Sequence, residues 1–167
     1  TNMKTIVLPE SFEERNLRAA DAVLKEGLAN IVLVGNKEKI QSVIPELDLE
    51  KATFIDPENF DKMDEFVDTF CELRKSKGVT KEQALKTMLD PMSFGVMLVK
   101  MGYADGMVSG AAHSTADTLR PALQILKTKP GTELVSSFFI MVCKDDTYGD
   151  DGVLLFADCA LNQNPNP

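Results

Sequence analysis

The sequence predicts an α/β domain with a mostly parallel sheet and helices on both of its faces. Short apolar runs rich in strand-forming residues alternate with longer segments of helical periodicity as far as Pro130-Gly131. Parallel neighbours need crossover connections, which are usually helical, so this alternation favours a parallel sheet. The 167 residues, of which 44% are hydrophobic and 26% charged, suffice to bury a core and argue against disorder.

Three short apolar runs predict the first strands, because each ends at residues that favour turns. They lie at residues 5–8, 31–34 and 53–55, before Pro9, Gly35 and Asp56-Pro57. Apolar positions recur at helical spacing between and after these runs, which predicts helices at residues 12–27, 37–43 and 60–77.

The following residues continue the alternation. Thr80 begins a helix and has Gln83 at the spacing of a capping box. A further helix is predicted from Pro91, in its first turn, to Gly102. A strand at residues 103–109 and a helix at residues 114–127 complete this part of the chain.

Two strands close the sequence and predict a hairpin. Residues 134–142 and 153–157 are rich in strand formers and flank a polar, turn-rich connection. The predicted domains are therefore residues 1–131, an α/β domain with a candidate anion-binding loop, and residues 132–167, the start of a second domain. Two strands alone cannot bury their faces, so this second domain is expected to be truncated or to need a partner.

Composition excludes several classes of function. The 18 Lys and Arg against 26 Asp and Glu give a net charge of −8, and no basic cluster is longer than two residues, which argues against nucleic-acid binding. No apolar stretch approaches the length of a membrane span. Cys71, Cys143 and Cys159 are too few and too scattered for a disulfide framework, so a cytoplasmic location is expected.

The residues after the predicted fourth strand carry the candidate site. Ser109 and Gly110 begin a turn of small residues, where a ligand can approach the backbone, and free N–H groups at the next helix start attract anions. Ser114 and Thr115 add hydroxyl donors, and Ser114 with Asp117 has the spacing of a capping box. The pattern predicts an anion-binding loop, although the same residue types also cap helices that bind nothing.

Arg120 is predicted to hold a phosphate or carboxylate through paired N–H donors. Pro121 disfavours helical backbone at Arg120, so either the helix kinks or a new helix begins at Pro121 with Arg120 in the loop before it, which suits an anion site better. His113, the single histidine, is adjacent to Ser114 and near Asp117. Neighbours on one turn rarely form a catalytic relay, so His113 is expected to orient a ligand or cap the helix, and no metal site is predicted.

Several separated blocks resemble the phosphate acetyltransferase family. The main block runs from Lys100 to Gln124 and reads KMGYADGMVSGAAHSTADTLRPALQ. Leu8-Pro9-Glu10 with Glu14-Arg15, the turn Lys127-Thr-Lys-Pro-Gly131, and Phe156-Ala-Asp-Cys-Ala160 with its Asn/Pro tail resemble the family in the same order. The resemblance covers the chain and corresponds to the N-terminal half of such a protein. Phosphate butyryltransferases share the architecture but match these blocks less closely.

The resemblance implies exchange of an acetyl group between acetyl phosphate and coenzyme A, with inorganic phosphate released or taken up, by direct thiol attack in a ternary complex. It implies coenzyme A as a substrate rather than a tightly bound cofactor, and two α/β domains with the active site between them, commonly in a homodimer. Arg120 matches the family's phosphate-binding arginine and is assigned the catalytic role. Arg74, in a less distinctive block, matches a second substrate-site arginine.

The resemblance also implies that part of the active site lies outside this sequence. The family's general base, an aspartate, belongs to the half that the resemblance does not cover, so the isolated chain is expected to be inactive. The phosphate-binding residues expected in this chain are Ser109, Gly110, His113, Ser114, Thr115, Arg120 and Arg74. The alternatives are a butyryltransferase-like enzyme, a non-catalytic phosphate-binding module, and a structural fragment without a ligand.

Overall fold

The computed structural model describes residues 2–132 and 135–158. The chain divides into two units, with the division between Lys127 and Thr128. Two predicted features lie outside the described residues. They are Leu134, where the first strand of the predicted hairpin begins, and Cys159. None of the helices in these ranges is long and apolar enough to cross a lipid bilayer.

The first unit is built on a parallel sheet of strands in the order β3-β2-β1-β4. The strands are β1 Thr5–Leu8, β2 Asn30–Val34, β3 Thr53–Ile55 and β4 Gly106–Met107. The helices are α1 Glu14–Glu26, α2 Lys37–Val43, α3 Met63–Leu73, α4 Lys81–Met88, α5 Pro91–Lys100 and α6 Thr115–Ile125. The predicted parallel α/β architecture is confirmed.

Successive strand residues point to opposite faces of this sheet. Apolar side chains therefore project from both faces, and helices pack against each of them. Leu8 and Leu33 pack with Leu17 of α1 in one apolar cluster. Val7 and the aromatic residues of α3 and α5 pack in a second cluster. The members of that second cluster that are fully buried include Phe66, Phe94, Met88, Met97, Leu98 and Ile125.

Helix α5 lies unusually close to the sheet, and Gly95 makes this approach possible. A Cβ atom at Gly95 would lie 3.0 Å from the Met107 Sδ atom, 3.2 Å from the Pro9 Cβ atom and 3.3 Å from the Val7 Cγ1 atom. These separations are shorter than ordinary carbon contacts. Gly95 therefore sets the distance between α5 and the carboxyl ends of β1 and β4.

Several helix ends follow the predicted capping chemistry. Thr80 and Gln83 form a capping box at the start of α4, with both side-chain bonds to backbone amides present. Gly27 adopts a left-handed φ of 65° at the end of α1, as glycine does at many helix ends. Helix α3 ends earlier than predicted, at Leu73, because the chain tightens into a short 3₁₀ turn before Gly78.

Strand β4 is much shorter than the strand predicted at residues 103–109. The chain enters the sheet at Asp105, whose carboxylate accepts the Thr5 amide at 2.9 Å. It leaves the sheet after Val108, whose amide donates to the Val7 carbonyl at 3.0 Å. Beyond Val108, the backbone amides of residues 110–113 bind the carboxylate of Glu10 instead of a neighbouring strand. The local sequence does not reveal this long-range contact.

The second unit contains an antiparallel hairpin of β5 Phe138–Val142 and β6 Val153–Ala157. Its connection closes through Gly152, whose φ of 81° is left-handed. The predicted hairpin is confirmed, and the first strand begins at Phe138. The apolar side chains of both strands are mostly exposed.

Candidate active site

The strand order creates a crevice at one end of the sheet. Strands β2 and β3 lie on one side of β1, whereas β4 lies on the other side. The connections that leave β1 and β4 at their carboxyl ends therefore diverge, and open α/β sheets bind ligands at such a point. The connection after β1 carries Pro9 and Glu10, and the connection after β4 carries residues 108–114.

Four consecutive backbone amides of the second connection donate to the carboxylate of Glu10. The amides of Gly110 and Ala111 each lie 2.9 Å from Oε2, and those of Ala112 and His113 lie 2.8 and 2.9 Å from Oε1. Gly110 has a left-handed φ of 106°, which turns the chain around this carboxylate. Glu10 is fully buried, so the loop encloses an internal anion.

The imidazole of His113 makes a fifth contact with the same carboxylate. Its Nδ1 atom lies 2.7 Å from Oε1 of Glu10. Burial by itself would raise the pKa of the Glu10 carboxyl, but the hydrogen bonds from His113 and the loop amides outweigh burial and lower this pKa from 4.5 to about 2. Glu10 is therefore ionised at neutral pH.

These contacts correct the prediction that the loop amides are available to a substrate anion. The amide of Gly110 and its three successors are bound by Glu10 instead. Glu10 is thus a residue of the site that the sequence motifs do not reveal, since 100 residues separate it from Gly110. The one signal in the sequence is an ionisable residue directly after a buried strand, within the Leu8-Pro9-Glu10 block.

The first residues of α1 hold the other side of this loop. Arg15 donates from Nη2 to the Ala111 carbonyl at 2.6 Å, and its Nε and Nη2 atoms bind the Glu13 carboxylate at 2.9 and 3.1 Å. The hydrogen bonds from Arg15 also lower the pKa of the Glu13 carboxyl. The loop is therefore fixed from inside by Glu10 and from outside by Arg15.

Arg120 lies in helix α6, and not in a loop before Pro121 as preferred from the sequence. The helix runs without a break from Thr115 to Ile125, with Pro121 inside it, so Arg120 is helical rather than part of a loop. Pro121 has no N–H to donate, which costs the helix one bond. The helix persists because both ends are anchored: Ser114 accepts the Asp117 amide at 3.2 Å, and Ile125 is fully buried.

A cavity of about 340 Å³ lies beside the loop and α6. It brings together two of the predicted site residues, His113 and Arg120. Its walls come from the end of α4, the start of α5 and one side of α6. The lining residues are Thr87, Asp90, Met92, Ser93, His113, Asp117, Arg120, Pro121 and Gln124.

The Arg120 guanidinium is available to a ligand in this cavity. Its side chain is 66% exposed, and its closest acidic partner is Asp117, with 3.7 Å between Nη1 and Oδ1. This distance exceeds that of a charge-assisted hydrogen bond. The Asp117 carboxylate instead accepts the Ser114 hydroxyl at 2.6 Å, and this bond is the main reason that the pKa of Asp117 is lowered.

The other predicted site residues occupy different positions. Ser114 caps α6, and Thr115 is the first residue of that helix. Ser109 lines a separate, largely apolar cavity with Thr118 and Leu119. Arg74 follows α3 and is not among the residues that line the cavity of Arg120. In the described ranges, no three His, Cys, Asp or Glu side chains are grouped as metal ligands would be.

A parallel α/β sheet whose connections diverge after β1 and β4, with an arginine-lined cavity beside the loop after β4, defines an open α/β domain, and this class of domain binds ligands beyond the carboxyl ends of its strands. Its family follows from sequence. The model of the family described as "Phosphate acetyl/butaryl transferase" matches residues 1–167, and the chain belongs to this family. The family expected from the sequence blocks is confirmed.

Relatives in other organisms agree with this assignment. The phosphate acetyltransferases of Thermoanaerobacterium thermosaccharolyticum and Acetivibrio thermocellus are 55% and 52% identical over 166 residues, which cover 99% of this chain and 51% and 50% of those proteins. A crystal structure of a phosphotransacetylase from Streptococcus pyogenes superposes with a TM-score of 0.85 at 43% identity, covering 98% of this chain and 49% of that one. The chain thus spans about half the length of these relatives.

Proposed function

We propose that this chain supplies the phosphate-binding part of an acyltransferase active site, which exchanges an acetyl group between acetyl phosphate and coenzyme A. The observation that carries the proposal is the cavity beside the loop after β4, which is lined by both His113 and the exposed Arg120. Relatives of about 50% identity that are named phosphate acetyltransferase support acetyl as the transferred group.

In the proposed reaction, the sulfur of coenzyme A attacks the carbonyl carbon of acetyl phosphate directly. A C–S bond forms, the C–O bond to phosphate breaks, and phosphate leaves with the electron pair while the thiol gives its proton to a base. Negative charge grows on the carbonyl oxygen and on the departing phosphate. Arg120 would stabilise that charge by donating N–H bonds to phosphoryl oxygens, and no bond between substrate and protein is needed.

The remaining site residues are proposed to act around Arg120. Ser109, Ser114 and Thr115 lie on or beside the loop after β4, and Arg74 is proposed to reach the substrate from the end of α3. Gly110 is proposed to act through the shape of the loop, because its amide is bound to Glu10. We propose that the complete site also includes residues that the longer relatives carry, so this chain alone should turn over negligibly.

The wider setting is also a proposal. Residues from Thr128 onwards form a separate unit, and we propose that they begin a second domain. Coenzyme A, acetyl phosphate and inorganic phosphate are the proposed small-molecule partners, with no tightly bound cofactor. A homodimer and a cytoplasmic location stay predictions.

Phosphate binding tests the role of Arg120 directly. We expect Arg120→Ala to weaken binding of inorganic phosphate to this chain by about tenfold or more, because a charge-assisted hydrogen bond contributes about 1.5–3 kcal/mol. The matched control is Arg18→Ala, which removes an exposed arginine of α1 that pairs with Glu14 and should leave phosphate binding unchanged. Equal affinity in wild type and Arg120→Ala would remove Arg120 from the site.

Turnover is best tested in a chimera, in which this chain replaces the matching half of the T. thermosaccharolyticum relative. The chimera should exchange acetyl phosphate with coenzyme A, and Arg120→Ala should lower kcat by about 10²–10³-fold, as loss of a charge-stabilising donor does. Butyryl phosphate in the same assay distinguishes the butyryltransferase alternative. A folded chimera that binds phosphate without turnover would favour the non-catalytic module.

A further inference from the structure

The first turn of helix α5 contains a buried backbone amide without a partner. The first amides of any helix have no acceptor within it, so each needs one from elsewhere. The amide of Asp90 donates to the Thr87 carbonyl at 3.2 Å, and Pro91 has no N–H. The Ser93 amide donates to the Asp90 carboxylate at 2.9 Å. The remaining amide, that of Met92, makes no hydrogen bond with a described residue, although Met92 is only 2% exposed. Buried amides of this kind are rare.

A second donor, the hydroxyl of Ser93, follows directly in the sequence. Ser93 is 6% exposed, and its hydroxyl makes no hydrogen bond with any residue that the structure describes. Its oxygen is not sealed off, because the fully enclosed side-chain oxygens that lack a partner in the described ranges are those of Thr118 and Ser137. The Ser93 oxygen therefore borders open space, and Ser93 lines the cavity of Arg120.

The Met92 amide and the Ser93 hydroxyl, named here the α5 donors, belong to the wall that α5 contributes to this cavity. Arg120 lines the same cavity from α6. Helix α5 has ten residues, and the partial positive charge at the start of such a helix favours a bound anion. Two independent features, an unpaired helix start and an unpaired buried hydroxyl, thus occur in the cavity that already contains an exposed guanidinium.

Two acidic side chains line the same cavity, and each accepts hydrogen bonds from the first turn of its own helix. Asp90 accepts the Ser93 amide at 2.9 Å, and Asp117 accepts the Ser114 hydroxyl at 2.6 Å. Neither of these bonds uses the α5 donors or the guanidinium of Arg120. The groups left for a ligand are therefore donors, which suits a ligand whose surface consists of acceptor oxygens.

We propose that the α5 donors bind one oxygen of the phosphoryl group while the Arg120 guanidinium binds the other two, which makes Ser93 a further substrate-binding residue. The inference rests on the proposed function in one respect, which is that phosphate ligands enter this cavity. A phosphoryl group has three non-bridging oxygens, and a guanidinium can bind two of them at once. Inorganic phosphate and acetyl phosphate both present these oxygens, so the same contacts serve both ligands.

The proposal predicts opposite effects of Ser93 on binding and on stability. In the free chain the Ser93 hydroxyl contributes no hydrogen bond, and alanine favours a helix more than serine does. Ser93→Ala should therefore keep or raise the urea concentration at the midpoint of unfolding. Binding sites commonly lose stability for the sake of function in this way. A Ser93 that only supported the fold would lower that midpoint when replaced.

Titration of the 167-residue chain with inorganic phosphate is the main test. Ser93→Ala should weaken phosphate binding by about tenfold, because a hydrogen bond to a charged group is lost, and should weaken acetyl phosphate binding by a similar factor. The matched control is Ser42→Ala, since the exposed Ser42 hydroxyl of α2 donates to the Lys39 carbonyl, and phosphate binding should be unchanged. Unchanged affinity in Ser93→Ala, with binding that still depends on Arg120, would overturn the inference and leave the proposed function intact.

The amide of Met92 reports on the same contact without any substitution. In the ¹⁵N-labelled wild-type chain, saturating inorganic phosphate should move the Met92 amide proton signal downfield, as a new hydrogen bond to an anion does. The Gln83 amide, in the first turn of α4 and already bound to the Thr80 hydroxyl, is the control and should not move.

A Met92 signal that stays in place while phosphate binds would overturn the inference alone. If Ser93→Ala does not fold, this measurement still decides. A wild-type chain that binds no phosphate would contradict the proposed function together with the inference.

Discussion

The single residue on which the site depends most is a carboxylate that no ligand touches in the proposed reaction. Glu10 is fully buried, and its negative charge is compensated by four amides and the His113 ring. Burial of a charge is costly unless it is hydrogen-bonded on all sides, and here it is. Glu10 therefore organises the loop, while the guanidinium of Arg120 stays exposed in the neighbouring cavity.

This arrangement predicts how stability depends on pH. Because the pKa of Glu10 falls from 4.5 in the unfolded chain to about 2 in the folded chain, the ionised form stabilises the fold above pH 4.5, and this contribution is lost as the pH falls towards 2. The shift corresponds to about 3 kcal/mol. Urea unfolding followed from pH 7 to pH 2 should show this loss in the wild type.

Glu10→Gln should lower the unfolding free energy at pH 7 by about 1–3 kcal/mol, because amides that bound a carboxylate lose an acceptor. It should also make the dependence between pH 4.5 and 2 less steep, and the remaining slope comes from other carboxyls whose pKa is lowered, such as Glu13 and Asp117. Glu14→Gln removes a carboxylate that is half exposed and should change little. A Glu10→Gln profile with the wild-type slope in this range would show that Glu10 is not the titrating group.

Among the elements, α5 connects the core to the site. It packs against β1 and β4 at Gly95, directly beside Pro9, which precedes Glu10 in the sequence. A change in the distance between α5 and the sheet would therefore move the connection that carries Glu10. Helix periodicity predicts that α5 exists, but the closeness of its approach depends on side chains from two distant segments, residues 7–9 and Met107.

Gly95→Ala tests this closeness. Alanine favours the helix by about 0.5–1 kcal/mol over glycine, but its Cβ atom would crowd Met107, Pro9 and Val7. Crowding in a packed core costs about 1–3 kcal/mol, and the Pro9 ring and the Val7 strand cannot move aside easily. We expect a net loss of about 1 kcal/mol in urea unfolding.

Gly106→Ala is the control for this prediction, because its Cβ atom would meet only the Ile6 Cδ1 atom at an ordinary 3.6 Å. Its effect should stay within about 0.5 kcal/mol. A more stable Gly95→Ala protein would mean that the helix preference of alanine outweighs the crowding and that α5 has room to adjust.

At the scale of the whole molecule, the two units differ in how much apolar surface they bury. The first unit has two apolar clusters, one on each face of its sheet. In the hairpin, Ile140 and Leu155 are cross-strand partners with 64% and 66% of their surface exposed. Exposed apolar strands of this kind drive association with other surfaces.

We expect the chain to self-associate at high concentration through this hairpin. Replacing Ile140 by Lys and Leu155 by Glu keeps a complementary cross-strand pair and should shift the chain towards monomer, measured by sedimentation velocity over a range of concentrations. Leu28→Lys is the control, since Leu28 is 65% exposed at a single position. A wild-type chain that is monomeric throughout, or an unaffected double variant, would contradict this role of the hairpin.

Much of the fold could be predicted from local pattern. Apolar runs that end at Pro9 and Gly35 located strands, and the Thr80–Gln83 capping box located a helix start to the residue, because these signals act within a few residues of the chain. Strand β4 could not be predicted in the same way, since its length depends on where the loop leaves the sheet to enclose Glu10.

The sequence by itself determined the family, the alternation of strands and helices, and the segment in which Arg120 and His113 occur. Only the tertiary structure decided which anion the loop amides bind, that Pro121 remains inside α6, and that Arg120 and His113 share a cavity from which Arg74 is absent. The physical reason is distance along the chain. Backbone preferences act between near neighbours, whereas the contact of Glu10 with Gly110 exists only because the sheet places β4 beside β1.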